Sequence, residues 1–131
     1  MATIRKYLQN NRGQALVEMA LVLPVLLLIL AGTIEFGRVL NQYLVVTAAA
    51  REGARAAVVG GNDYEVSETA KKAAASIDTS GMDVSVTPAD RPRGSAVTVT
   101  VTKPIQIMTP LISKFFPEKP SVQGQVIMRM E

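Results

Sequence analysis

Residues Arg12 to Arg38 read RGQALVEMALVLPVLLLILAGTIEFGR, and this stretch decides how the rest of the chain is arranged. From Met19 to Ile34 it holds sixteen residues without a charge, and the apolar character runs back to Ala15 with Glu18 as its only interruption. A helix needs roughly 20 residues at about 1.5 Å each to cross a bilayer, so the stretch predicts a membrane-spanning helix. Glu18 is then a carboxylate where lipid tolerates few. Pro24 removes one backbone hydrogen bond inside the run, which predicts a kink rather than a break.

Working outward, residues 1–13, MATIRKYLQNNRG, form a basic, polar leader ending in Gly13. Leader and apolar run together imitate a secretory signal. The run is longer than an ordinary signal core, however, and helix-like sequence follows the best small-residue cleavage site, so the segment is expected to stay. Arg5, Lys6 and Arg12 precede the span and Arg38 alone follows it closely, which places the N-terminus in the cytoplasm and the bulk of the chain outside. On this reading residues 14–37 are the transmembrane helix, and residues 38–61 are its extracytoplasmic extension. Val46, Ala49, Ala50, Gly53, Ala56 and Ala57 recur three or four apart there and form a small-residue seam suited to close backbone approach. Gly60 and Gly61 end the helix.

Composition excludes several function classes. The three basic residues of the leader account for the whole net charge of +3, and the remaining 11 Lys and Arg are balanced by 11 Asp and Glu. A basic face for nucleic acid is therefore not supplied by the folded part. With no Cys and no His, disulfides, thiolate chemistry and the usual zinc and triad sites are ruled out. No metal, cofactor, small-molecule substrate or catalytic residue is assigned, because no nucleophile, base and orienter stand out as a set.

Residues 62–131 read as a small αβββ domain, making the chain α+β with an antiparallel sheet. Asn62 or Asp63 can cap a helix, with Glu65 placed for a capping box. Val66, Ala70, Ala73, Ala74 and Ile77 form its apolar stripe. Met82, Val84 and Val86 alternate with polar residues, as do Val97, Val99 and Val101 after the DRPRG turn, which predicts a hairpin. Thr109 and Pro110 start a short helical turn carrying Leu111, Ile112, Phe115 and Phe116. That cluster is read as plugging the core, with a docking patch for another subunit as the alternative. A last strand covers about Val122 to Met130. So thin a core is expected to dock on the outer half of the long helix.

Glu35 and Arg38 are spaced as an i,i+3 ion pair at the membrane surface, with contact to a partner subunit as the alternative. Arg51 and Arg55 share a face and are expected to pair with acids of the folded domain or of a neighbour, with a plain solvated face as the alternative, while Glu52 points elsewhere. Arg91 and Arg93 are expected in a solvated turn. Cleavage after Gly13 would create a positive amine at Gln14, about one turn from Glu18, and within a packed assembly Glu18 of one subunit could reach its neighbour's amine. This order of leader, Gly, Glu and apolar helix resembles the prepilins of type IV filament systems, in which a dedicated membrane peptidase cuts after that Gly.

Gly13 with Glu18, Leu23 with Pro24, and Ala49, Arg51, Gly53 and Arg55 also make an ordered set. It resembles the TadE-like family of tight adherence (Tad) pilus assembly proteins, over roughly residues 12–57. The resemblance implies a pilin-like or pseudopilin-like fold, processing at Gly13 and Gln14 by a prepilin peptidase, and residence in the inner membrane as a single-pass protein. Other Tad pilins, inner-membrane assembly proteins and membrane lipid are the implied partners, with incorporation into an extracellular pilus left open. Major Flp-type pilins place a Tyr after the Glu and are much shorter, whereas Met19 follows Glu18 here and a sheet domain is appended. That departure argues for a minor or accessory subunit in pilus assembly, adhesion or secretion. The rival reading is an unprocessed, signal-anchored protein with an independent extracytoplasmic binding domain.

Overall fold

The computed structural model describes residues 11–131, so the leader positions Arg5 and Lys6 lie outside the described residues. The chain is α+β, as expected. Helix α1 spans Asn11–Val58 and continues through Pro24. Helix α2 spans Asp63–Ala73, followed by strands β1 (Asp83–Thr87) and β2 (Ala96–Pro104), a short helix α3 (Pro110–Ser113) and strand β3 (Ser121–Arg129). The three strands form an antiparallel meander in the order β1-β2-β3.

Two compact units share α1, one ending at Ile34 and one running from Glu35 to Glu131. In the first, the side chains of the apolar run from Leu16 to Leu30 are exposed. Among the described residues α1 is the one helix long and apolar enough to cross a membrane. An apolar surface of this length, broken only by Glu18, is unfavourable in water, and a bilayer or packed neighbouring helices would cover it.

The second unit is built on the outer part of α1. Val46, Ala49, Ala50, Ala54 and Ala57 are fully buried there, together with Val66, Ala70 and Ala74 of the α2 region and Val97, Val99 and Val101 of β2. The expected docking of sheet on helix is therefore present, and the small residues decide how close it is. Gly53 faces Val99, Ala70 and Val66, whose atoms lie 3.3–3.5 Å from where a Cβ would stand. The helix cost of that glycine, about 0.5–1 kcal/mol relative to Ala, has its reason in this three-way junction. Gly124 is tighter still, because an added Cβ would stand 2.8 Å from Thr47 Cα and 2.9 Å from the Val46 carbonyl oxygen. In the sheet Gly124 pairs with Val101, and beside it Val126 pairs with Val99. The missing side chain lets the backbone of α1 settle against β3.

Local chemistry ends the elements where the sequence says it should. Gly60 takes φ +94°, the Gly61 amide donates to the Ala56 carbonyl and the Gly60 amide to that of Ala57, which closes α1 with a Schellman motif. Asn62 caps α2 with a complete capping box, its side chain accepting from the Glu65 amide at 2.9 Å while Glu65 accepts from the Asn62 amide at 3.0 Å. Ala73 departs from the expected stripe and is exposed, because α2 ends there and the buried row is Val66, Ala70 and Ala74.

The expected aromatic plug of the core is absent. Leu111, Phe115 and Phe116 do not plug the core but are 56%, 79% and 52% exposed, with only Ile112 half-buried. The buried cluster is instead made of valines and alanines with Met82 and Ile105.

The Gly124 contact carries a direct test. Gly124→Ala should lower the stability of the sheet unit by about 1–3 kcal/mol, because the neighbouring atoms are backbone and cannot step aside. Gln125→Ala, on the opposite face, should change it by less than about 0.5 kcal/mol. Hydrogen exchange of the β2 amides in detergent-solubilised full chain reads both.

Candidate processing and assembly site

Gly13, Gln14 and Glu18 lie in the first turns of α1, and all three are exposed. Among the described residues nothing stands within 4 Å of a Cβ added at Gly13, so none of them requires a glycine there by packing. Gln14 and Glu18 are four apart on one helical face, close enough for an amine at position 14 to pair with the carboxylate. Pro24 sits within the exposed apolar run.

Glu35 is the first charge after that run and is only 8% exposed. Its ion pair with Arg38 forms as the spacing predicts, Arg38 Nη1 donating at 3.0 Å. The sequence gives no sign of its other partners. The Met108 amide donates to Glu35 Oε1 at 3.4 Å and the Thr109 hydroxyl to Oε2 at 3.5 Å. A carboxylate withdrawn from water needs such donors, and here they tie the segment between β2 and α3 to the helix.

Further along α1, Arg51 and Arg55 are exposed. Arg55 pairs with Glu52 at 3.6 Å rather than with an acid of the sheet domain, which corrects the expectation that Glu52 points elsewhere. Both side chains are solvated, so the pair adds little stability. Gly53, between them in sequence, is buried in the chain's own core, as are most residues of the seam. The seam is therefore occupied by the chain's own sheet and α2, and within the second unit it is not a free surface for lateral packing.

Two further polar contacts escaped the sequence reading. Arg91 is half-buried rather than solvated, donating to Asp63 at 2.6 Å and so fastening the β1–β2 loop to the first turn of α2. Lys103 is 8% exposed and donates to the Ser80 carbonyl at 2.6 Å, with Asp78 Oδ2 at 3.9 Å. Its phase was legible, since Lys103 continues the alternation of Val97, Val99 and Val101 onto the buried face. Asp78 accepts from the Ser80 hydroxyl at 2.6 Å and from the Ser80 amide at 3.0 Å. These two bonds, and then the charge of Lys103, hold the Asp78 carboxyl below its ordinary value of 3.8.

A cavity of about 650 Å³ opens beside this group, lined by Asp78, Ser80, Lys103, Phe116 and Glu118 among others. Asp78, Ser80 and Lys103 bond to one another there, and that arrangement supplies structure rather than an activated nucleophile. Among the described residues no cluster of three or more His, Cys, Asp or Glu could hold a metal ion.

Residues 13–55 match the model of a family described as TadE-like protein. The match starts at Gly13 and ends at Arg55, so it takes in the exposed apolar run and the helix that underlies the sheet. No curated protein and no solved structure matches the chain.

The lowered pKa of Asp78 sets the sign of a pH effect. A carboxylate that is more acidic when folded adds stability above its unfolded value and loses that contribution as pH falls through the folded one. Asp78→Asn should therefore be less stable than the parent near neutral pH, with the gap closing as pH falls through and below the ordinary carboxylate range. Thermal unfolding across a pH series checks this.

Proposed function

We propose that this chain, TadE-like over residues 13–55, is a minor pilin or pseudopilin of a Tad-type pilus, cut by a prepilin peptidase between Gly13 and Gln14. The observation that carries the reading is the family match beginning at that glycine, on a helix whose apolar side chains are exposed from Leu16 to Leu30. Such a helix holds the subunit in the inner membrane, with the sheet domain on the far side, until assembly draws it against other helices. Other pilins and membrane assembly proteins are its partners.

Glu18 is the assembly residue in this scheme. A carboxylate within the apolar region costs roughly 2.5–3.5 kcal/mol at the bilayer centre on insertion scales and less towards the edge, so it needs a cationic partner. The amine freed at Gln14 is that partner, in the same chain before assembly and in a neighbour afterwards. Pairing between neighbours would fix axial register, which a run of leucines and valines cannot do. Because the Gly53 seam is covered by the chain's own domain, lateral packing falls to the exposed N-terminal half of α1. Arg51 and Arg55 remain available as exposed cations to a partner subunit.

The test is the N-terminal mass of the protein recovered from membranes with and without its cognate peptidase. A chain starting at Gln14 only when the peptidase is present is the expected result. An intact leader in both cases would instead favour a signal-anchored protein whose outer domain works alone. Glu18→Ala should still be cleaved yet reduce pilus-associated protein about tenfold, equivalent to about 1.4 kcal/mol of lost contact. Unchanged piliation would remove the role given to this carboxylate.

A further inference from the structure

Met108, Leu111, Phe115 and Phe116 are exposed on the segment between β2 and β3, whereas the valines of the β2 core face are fully buried. Such large apolar side chains on a connecting segment call for a covering surface. The position of the segment narrows the choice. Glu35 bonds to Met108 and Thr109, and Glu35 directly follows Ile34, the last residue of the charge-free run. The segment is thus pinned to α1 at the level where apolar sequence gives way to charge. Phe36, the next residue, is itself 69% exposed.

We infer that α3 and its flanking residues form an interfacial anchor, dipping Leu111, Phe115 and Phe116 into the membrane leaflet on the side of the sheet domain. The inference rests on reading α1 as a membrane anchor. Apolar side chains at this level enter the boundary between headgroups and acyl chains, about 5–10 Å deep. Lys114 and Lys119 bracket the two phenylalanines and are long enough to keep their ammonium groups among the headgroups while their stems cover apolar surface. Against them stands Glu118 alone, so the local charge suits anionic lipid. A second anchoring point turns the single span from a swivel into a hinge of restricted tilt, and it holds the sheet domain close to the bilayer. Withdrawal of the anchor would then accompany extraction of the subunit.

The absence of cysteine makes the test clean. Full-length Ser113→Cys is labelled with an environment-sensitive fluorophore in vesicles of phosphatidylcholine and phosphatidylglycerol at high lipid-to-protein ratio, beside Leu27→Cys and Asp90→Cys. The expected result is quenching of the position-113 label by nitroxides on the upper acyl chain, protection from aqueous iodide, and loss of both in a Phe115→Ser/Phe116→Ser background. Both rings are exposed, so this background retains the fold. If the position-27 label is in lipid while the position-113 label meets iodide as freely as that at position 90, the anchor is refuted and the span stands. Protection from iodide without lipid quenching, or protection only at high protein density, means that another protein covers the patch and also overturns the anchor. Iodide access at position 27 refutes the span, and the anchor with it.

Discussion

The contact of the α1 backbone with β3, at Thr47 and Gly124, is the constraint on which the second unit depends. A three-stranded sheet has two faces and too little chain to cover both, so one face must borrow a neighbour. Here the neighbour is the helix that also supplies the apolar run. Because Gly124 has no side chain and Gly53 adds none from the other side, helix and sheet meet at backbone distance, and the valines of β2 fill the space that is left. Dispersion contacts are then dense although the residues are small.

Sharing one helix between two jobs has consequences for function. The outer part of α1 is committed to the fold through one face, that of Val46, Ala49, Ala50, Gly53, Ala54 and Ala57, while the earlier turns expose apolar side chains all round and Phe36, Leu40, Tyr43 and Leu44 continue that exposed surface past Ile34. Glu18 lies on that free part, and Glu35 lies where the folded unit begins. The two carboxylates meet opposite conditions. Glu35 finds its donors inside the unit, in Arg38, Met108 and Thr109. Glu18 is exposed on the apolar half, which is why the proposed partner is an amine created by processing.

What was legible in the sequence follows the range of the interaction. The long apolar helix, the Gly60–Gly61 stop, the Asn62–Glu65 box and the valine alternation of β2 are written in residues a few positions apart, and the structure has them. The Glu35–Arg38 pair belongs to the same class. Contacts between distant residues were not readable, as with Glu35 and Met108, Asp63 and Arg91, or Asp78 and Lys103. Hydrophobicity alone also misplaced Leu111, Phe115 and Phe116, because apolar character says that a residue avoids water and not which apolar phase receives it.

The central claim is that the outer part of α1 is a core element of the sheet unit and not a free stalk. Native-state hydrogen exchange of the full chain in lipid discs tests it most directly, by comparing amides of Val46–Ala57 with those of β2 from Val97 to Val101. The account predicts that both sets open together, with one free energy and one dependence on denaturant. Helix amides that stay protected after β2 has exchanged, or exchange while β2 stays protected, would contradict it.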